Sequence, residues 1–365
     1  MARPKPVYRG KRKYGWLISL LLFLLILAFM AGMWVFYDMQ KYIVYEKDGL
    51  RLDLSGGGIA VDEGGDSGEE DILAPSVTDA QIVVELPDFS DMKSMVRSDL
   101  GDIQALHVTG ENMTAQNLAY YPSLLAESQV KYNCLVLHMK GIEGNLGYFS
   151  TIDMTNSYGV NGTESLKETL AALKEYNIWL VAEISCLADS AMAVRNAPLS
   201  LKNATGGVLS DDMGCWLDPY NSAVRGYIVD LMAEMKDMGF DEVLLTNVRL
   251  PADTVIQYSQ PMTAMPDAVS TVSSMSRHLR EQADEIGIYL SAELDGKALR
   301  ENKGADIGQD AEFFFKVFDR VYVQSDMDYY TTDTGIAMEI AGNDTSRVVT
   351  TVEGFNLPSG SYFVR

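Results

Sequence analysis

The chain has 365 residues, enough for one large barrel or two compact domains. With 47% hydrophobic and 22% charged residues, the composition is that of a folded protein, which excludes disorder throughout. A formal net charge of −22 makes nucleic acid a poor partner, and only three cysteines make a multi-disulfide scaffold improbable.

The first predicted element is a transmembrane helix at residues 16–37. This stretch has no charged residue, and a helix of this length crosses a hydrocarbon core of roughly 30 Å. Trp16, Trp34 and Tyr37 stand where interfacial aromatic side chains are expected. A cleavable signal would have a shorter apolar core followed by a small-residue cleavage site, so the pattern favours an uncleaved anchor.

The charge distribution predicts the orientation in the membrane. Residues 1–15 carry six basic side chains and no acidic one, which is typical of a tail that stays in the cytoplasm. All 51 acidic residues follow the predicted helix. We therefore expect a single-pass protein of the cell membrane, in contact with the lipid bilayer through residues 16–37, with its C-terminal domain outside the cytoplasm.

Residues 38–85 are predicted to form an extended segment and a flexible tether. The sequence YIVYEKDGLRLDL alternates as extended chain does, and SGGGIAVDEGGDSGEEDILAPS is rich in glycine and acidic residues. The folded domain is accordingly expected to occupy residues 86–365.

Strands and helices alternate along this domain, which favours parallel strands joined by right-handed crossovers. Helical periodicity fits residues 163–176, 221–238, 268–285 and 310–318. Seven strands, with the final SYFVR as a possible eighth, match a (β/α)₈ TIM-like barrel. The seven predicted strands are Ile103–Thr109, Cys134–Met139, Ile178–Ile184, Glu242–Asn247, Ile288–Glu293, Arg320–Gln324 and Arg347–Glu353.

In such a barrel, function resides at the carboxyl ends of the strands. No zinc-type Cys or His spacing occurs, and the three histidines are far apart in sequence, so no metal site is predicted. No glycine-rich phosphate cradle follows a strand, and no cofactor is expected. The polar residues at the predicted strand ends are His107, Thr109, His138, Lys140, Glu183, Thr246, Asn247, Arg249, Glu293, Asp295, Gln324, Ser325 and Asp326.

Four segments in order carry a resemblance to a known family. They are LHMKGIEGNLGY, WLDPYNSAVRGYIVDLMAEMKDMGFDEVLLTNVRLP, GIYLSAELDG and DIGQDAEFFFKVFDRVYVQ. Together they resemble a glycoside hydrolase-like family of bacterial envelopes, related to the amylase-like TIM barrels. The resemblance covers roughly residue 103 onward and implies a barrel that acts on a polysaccharide or cell-wall glycan.

The chain departs from that family at several acidic positions. Thr246 stands where the family has the strand-four Asp expected to do the chemistry, while Arg249 is kept. On strand two only Lys140 matches, and on strand three Glu183 replaces an Arg. Glu293 on strand five keeps an acid.

The resemblance and the strand-end positions together suggest roles for individual residues. Glu293 is the predicted general acid, and Glu183, Asp295 or Asp326 would supply the second carboxyl group that glycoside hydrolysis needs. Glu183 is also expected to pair with Lys140. The predicted substrate-binding residues are Lys140, Thr246, Asn247, Arg249 and Gln324, with Trp216 and Tyr220 as aromatic surfaces for sugar rings.

Two alternatives to an enzyme stay open, because Thr246 can be neither acid nor nucleophile in hydrolysis. The barrel could have lost turnover and bind glycan through its cleft, or it could be a scaffold for other envelope proteins. The sequence does not identify protein partners.

Overall fold

The computed structural model describes the two strands Ile43–Glu46 and Gly49–Leu52, and residues 89–365 except 253, 261–264, 302–303 and 353–356. Contacts divide the chain into two units, residues 1–81 and 82–365. In the first unit, the two strands pair antiparallel, with Ile43 opposite Leu52. The predicted anchor at residues 16–37 lies outside the described residues, and among those that are described no helix has the length and hydrophobicity to span a membrane.

The second unit is a closed barrel of eight parallel strands, which confirms the predicted barrel. Each strand pairs with its neighbour in the sequence, and the last strand pairs with both the seventh and the first. The segment SYFVR therefore supplies the eighth strand. In chain order the strands are β1 (Gln104–Val108), β2 (Cys134–Lys140), β3 (Trp179–Ser185), β4 (Glu242–Thr246), β5 (Tyr289–Asp295), β6 (Val321–Gln324), β7 (Val348–Val352) and β8 (Tyr362–Val364).

Helices surround the barrel and connect its strands. The longest, α6 and α7, begin after side-chain caps from Asn221 and Asp267, and both end at a glycine with positive φ. In chain order the helices are α1 (Ala115–Leu118), α2 (Tyr121–Glu127), α3 (Asp153–Ser157), α4 (Lys167–Lys174), α5 (Ser190–Arg195), α6 (Ser222–Met238), α7 (Ala268–Ile286), α8 (Gly296–Glu301), α9 (Gly304–Ile307), α10 (Ala311–Val317) and α11 (Tyr330–Ile340). Short 3₁₀ turns occupy Gly110–Met113 and Ala197–Leu199.

One predicted helix is shorter than expected. The pattern from residue 163 predicts helix to residue 176, whereas α4 begins at Lys167. The backbone before it is bonded to another loop: Gly162 N donates to Tyr148 O, and Phe149 N donates to Glu164 O. These tertiary bonds hold the segment out of the helix. The small antiparallel pair Ser210–Asp211 with Gly214–Cys215 was not predicted at all.

Two apolar cores stabilise this unit. The larger one fills the space between the strands and the helices. A smaller one fills the inside of the barrel and takes side chains from seven of the strands and the residue before β1. Its members are Ile103, Ala105, Cys134, Val136, Val181, Leu244, Tyr322, Val349 and Phe363.

A buried ion pair lies at the amino-terminal side of the barrel interior. Glu242, at the start of β4, accepts hydrogen bonds from Arg320, Trp179 Nε1, Ser291 Oγ and Tyr322 OH. Both partners of the ion pair are buried. A buried carboxylate with this many donors is fully compensated, so the pair ties β3, β4, β5 and β6 together beneath the apolar layer.

Candidate functional site

Side chains alternate along each strand, so the residue two positions after an inward core residue also points inward, nearer the carboxyl end. Applied to β1, this rule leads from Ala105 to His107, and applied to β3 it leads from Val181 to Glu183. We call the resulting ring the mouth layer. It consists of His107, His138, Glu183, Thr246, Glu293, Gln324, Thr351 and Arg365.

Glu183 is the most strongly bound member of the mouth layer. Its Oε2 accepts hydrogen bonds from His107 Nε2 at 2.7 Å and from His138 Nδ1 at 2.8 Å. The regular register of β2 and β3 places His138 opposite Glu183, and the pairing becomes irregular only after His138. A carboxylate can only accept, so both ring nitrogens donate to it.

Arg365 joins Glu183 to Glu293. Its Nη2 donates to Glu183 Oε1 at 3.0 Å and to Glu293 Oε2 at 2.6 Å, while Nη1 donates to Gln324 Oε1 at 2.5 Å. One guanidinium nitrogen therefore lies between two carboxyl groups from different strands. This contact brings the two acidic residues of the mouth layer to opposite sides of a single group.

The surroundings shift the pKa values of the two carboxyl groups in opposite directions. Burial raises the pKa of Glu183, but the hydrogen bonds from His107 and His138 and the charge of Arg365 outweigh it and hold that pKa well below its usual range. Burial raises the pKa of Glu293 above its usual value; Arg365 opposes this shift and the Glu183 carboxylate adds to it. Glu183 is thus set to stay ionised, whereas Glu293 holds a proton more readily.

A cavity of about 510 Å³ opens beside Glu293, on the side of the mouth formed by β4 to β7. Its size is that of a small-ligand site. The wall is mostly polar and includes Asn247, Arg249, Asp295, Lys297, Gln309, Gln324, Ser325, Asp326 and Thr351. Met213, Met327, Tyr330 and Val352 supply the apolar part. The cavity therefore suits a ligand with many hydroxyl groups that approaches Glu293.

The other two predicted acids lie at the rim. Asp295 Oδ1 accepts from the backbone nitrogens of Lys297 and Ala298, and its Oδ2 lies 3.7 Å from Arg249 Nη1. Asp326 is 78% exposed, and its Oδ2 lies 3.8 Å from Arg300 Nη2. Of the candidate second carboxylates, Glu183 is the one that shares a hydrogen-bond donor with Glu293.

Four predicted binding residues lie in or beside the mouth. Asn247, Arg249 and Gln324 line the cavity. Thr246 is buried, and its Oγ1 is 3.4 Å from Asn247 Nδ2. Asn247 has a φ of 53°, a backbone conformation that asparagine tolerates better than most residues.

Three other expectations do not match the geometry. Lys140 does not pair with Glu183: it is buried, its Nζ lies 2.9 Å from Asp189 Oδ2, and it donates to Ser185 O. Trp216 is 0% exposed and cannot offer a face to a sugar in this structure. Tyr220 packs edge-on against Tyr258, away from the cavity wall.

Sequence reasoning missed the importance of His107, Arg365 and Thr351. The strand-end pattern marks His107 without indicating a role for it, and it does not mark Thr351 or Arg365. Counting two residues onward from the inward apolar residue of each strand would have found all three, because alternation has a period of two.

The sequence predicted no metal site because the histidines are distant in the chain, yet His107, His138 and Glu183 have ligand atoms within 4.8 Å of one another. Imidazole and carboxylate groups are zinc and iron ligands. Here, however, Arg365 donates to the same carboxylate, and its positive charge opposes a dication. The arrangement favours a hydrogen-bonded, ionised Glu183 over a metal ligand.

Residues 105–344 match the model of a family described as "Putative glycosyl hydrolase domain". The chain belongs to this family. The match covers more than half of the chain, from the second residue of β1 to beyond β6, so the glycosyl hydrolase resemblance found in the sequence is confirmed.

One solved structure agrees with this barrel at the level of the fold, and a second match is reported beside it. The glycoside hydrolase domain of PgaB (BpsB) from Bordetella bronchiseptica is similar with 13% identity and a TM-score of 0.54, covering 73% of this chain and 94% of that one. A hypothetical protein from Ruminiclostridium thermocellum has 25% identity and a TM-score of 0.45, covering 51% and 96%. A search of curated proteins found no match.

Proposed function

We propose that the barrel is a retaining glycoside hydrolase in which Glu293 is the general acid and Glu183 the nucleophile. The observation that supports this most is the shared Arg365 nitrogen, which brings together one carboxyl group of raised pKa and one of lowered pKa. Two titratable groups whose surroundings separate their pKa values are the usual acid and base of such a site.

The spacing of the two groups favours retention. The two oxygens bound to Arg365 Nη2 are at most about 5.6 Å apart, the sum of their two distances. Retaining enzymes need about 5 to 5.5 Å between the carboxyl groups, whereas inverting enzymes need about 6.5 to 9.5 Å to admit a water molecule. The bound on these two oxygens lies nearer the separation of retaining enzymes than that of inverting enzymes.

The reaction then proceeds in two displacements. Glu293 gives its proton to the glycosidic oxygen as the Glu183 carboxylate attacks the anomeric carbon, so the glycosidic bond breaks and a glycosyl ester forms. Glu293, now ionised, takes a proton from water, which attacks the same carbon and releases Glu183. Productive binding requires the glycosidic oxygen to replace Arg365 beside Glu293.

The proposed location follows from the N-terminal sequence. The charge-free stretch at residues 16–37, preceded by basic residues, supports a membrane anchor with the barrel outside the cytoplasm. A barrel anchored there would act on an envelope or extracellular glycan. Thr246 in place of the expected strand-four Asp supports a second candidate, a barrel that binds such a glycan without cleaving it.

Turnover by the full-length protein in detergent tests the proposal. On purified wall glycans, analysed by mass spectrometry, Glu293→Gln is expected to lower kcat/KM by about 10²- to 10⁴-fold, because the amide cannot donate a proton to the leaving oxygen. The exposed Glu281→Gln on α7 is the matched control and should keep full activity. Activity should also survive EDTA.

Two results would count against this assignment. Equal activity of Glu293→Gln and the unmodified protein would remove Glu293 from the chemistry. Glycan retention without cleavage by either protein would favour the binding barrel instead.

Arg365 provides a prediction on pH dependence. Its charge lowers the pKa of both Glu183 and Glu293, so Arg365→Gln should raise both. The acid limb of the kcat/KM profile reports ionisation of Glu183 and the alkaline limb reports protonation of Glu293, so both limbs should move to higher pH. A pH profile measured beside the exposed Arg277→Gln checks this; an unmoved profile with reduced activity would show that Arg365 only holds the fold.

A further inference from the structure

We propose that the cavity beside Glu293 is a subsite for a sugar that carries a carboxylate, with Arg249 as the group that binds it. This inference rests on the proposed function, which places a sugar in the cavity. The negative charge of that sugar is argued separately, from the residues of the cavity wall. It names the class of glycan, an acidic polysaccharide, that the barrel would select.

Arg249 lies in the cavity wall, and none of the residues that the structure describes accepts a hydrogen bond from its guanidinium. Its side chain is 22% exposed, and its Cζ lies 5.8 Å from the centre of the Trp216 ring. Within the described part of the chain, its one ion pair is with Asp295 Oδ2 at 3.7 Å, beyond hydrogen-bond range, and its charge also lowers the pKa of Glu293. At that distance the indole face and the guanidinium are within range of a cation–π contact, and the planar fork of the guanidinium matches a carboxylate.

Lys297 adds a second positive charge to the same wall. Its side chain is exposed, and among the described residues no carboxylate forms an ion pair with it. The same wall also carries the carboxyl groups of Glu293, Asp295 and Asp326, in a domain in which acidic residues far outnumber basic ones. Since the general surface repels an acidic polymer, binding one requires cations concentrated at the site.

The remaining wall favours a sugar as the bearer of the carboxylate. Ser325 Oγ and Thr351 Oγ1 are buried and have no hydrogen-bond partner among the residues described. Both residues line the cavity. Buried polar atoms normally find a partner, so a rotation of either side chain toward the cavity would let its hydroxyl pair with a ligand hydroxyl group.

The acidic residues of the wall compete with a bound carboxylate for the same cations. Substituting one of them therefore distinguishes an anionic ligand from a cationic one. Asp326 lies near Arg300, and Asp295 lies near Arg249. If Arg249 binds an anion, Asp295 competes with that anion, and Asp295→Asn should strengthen binding. If the cavity instead binds an amino sugar, Asp295 is part of the binding site, and the same substitution should weaken it.

The experiment measures binding rather than turnover. Calorimetry with full-length Glu293→Gln protein in detergent compares oligomers of glucuronate, glucose and glucosamine of equal length. Preference for the glucuronate oligomer is expected, with Arg249→Gln weakening it by about 10- to 100-fold, the usual effect of a lost hydrogen bond to a charged group. Arg249→Lys should recover only part of the affinity for the glucuronate oligomer. Asp295→Asn should strengthen that affinity, and Arg277→Gln should leave it unchanged.

The results separate this inference from the proposed function. Equal affinity for the glucose and glucuronate oligomers, or a preference for glucosamine that Asp295→Asn abolishes, would overturn the acidic subsite. Glucuronate binding that depends on Arg249, in a protein that cleaves no glycan, would uphold the subsite and overturn the hydrolase. Circular dichroism of each variant confirms that a loss of affinity is not a loss of fold.

Discussion

Glu183→Gln is expected to reduce kcat/KM on the cleaved glycan by at least about 10⁴-fold, a larger effect than any other single substitution in the mouth layer. The amide keeps the shape of the side chain and can still accept from a histidine, but it has no negative charge to attack the anomeric carbon. His107, His138 and Arg365 would then surround a neutral group that cannot act as nucleophile.

Two measurements distinguish a lost nucleophile from a lost fold. Glu183→Gln should retain the circular dichroism and most of the thermal stability of the unmodified protein. In addition, azide should restore turnover to Glu183→Ala, because the small anion can enter the emptied space and attack the anomeric carbon to form a glycosyl azide. A Glu183→Gln protein that still cleaves glycan would exclude Glu183 as the nucleophile.

Glu242→Ala is expected to destabilise the barrel by about 3–5 kcal/mol, although Glu242 lies far below the mouth layer. The substitution leaves Arg320 buried without its carboxylate, and the hydroxyls of Ser291 and Tyr322 lose their acceptor. For a unit of this size the melting temperature should fall by roughly 6–20 °C. Thermal unfolding followed by circular dichroism measures the change.

The exposed Glu168→Gln on α4 is the matched control and should shift stability by less than about 0.5 kcal/mol. A double variant, Glu242→Leu with Arg320→Met, should be more stable than Glu242→Ala, because it removes the uncompensated charge. If Glu242→Ala melted at the same temperature as the control, the buried pair would have no role in holding the four strands together.

The architecture was predictable because its signals are local. Apolar strands alternate with amphipathic helices over enough length for a barrel, and the helix predicted over residues 221–238 agrees with α6, Ser222–Met238. The boundaries of β4, β5 and β6 were correct to within about two residues. Helix α4 was overestimated because residues 162–164 are bonded to residues 148–149, which precede α3 in the same connection between β2 and β3.

The candidate site was predictable only in part. Strand ends and family resemblance pointed to Glu293 and Glu183 as acids. A carboxyl group at the end of an apolar strand can be recognised within a single short segment of sequence. The sequence did not show which positively charged residue would pair with the Glu183 carboxylate. Lys140 was the nearest cation in the predicted layout, but the irregular step in β2 after His138 leaves Lys140 buried against Asp189.

By itself, the sequence determined the alternation of strands and helices, the family, and which residues stand at the ends of strands, because these depend on neighbours within a few positions. The tertiary structure alone decided that His107, His138 and Arg365, separated by up to 258 residues, converge on one carboxylate. Closing the barrel brings β8 beside β1, and this closure sets the distance between Arg365 and the two glutamates and thereby their opposite pKa shifts.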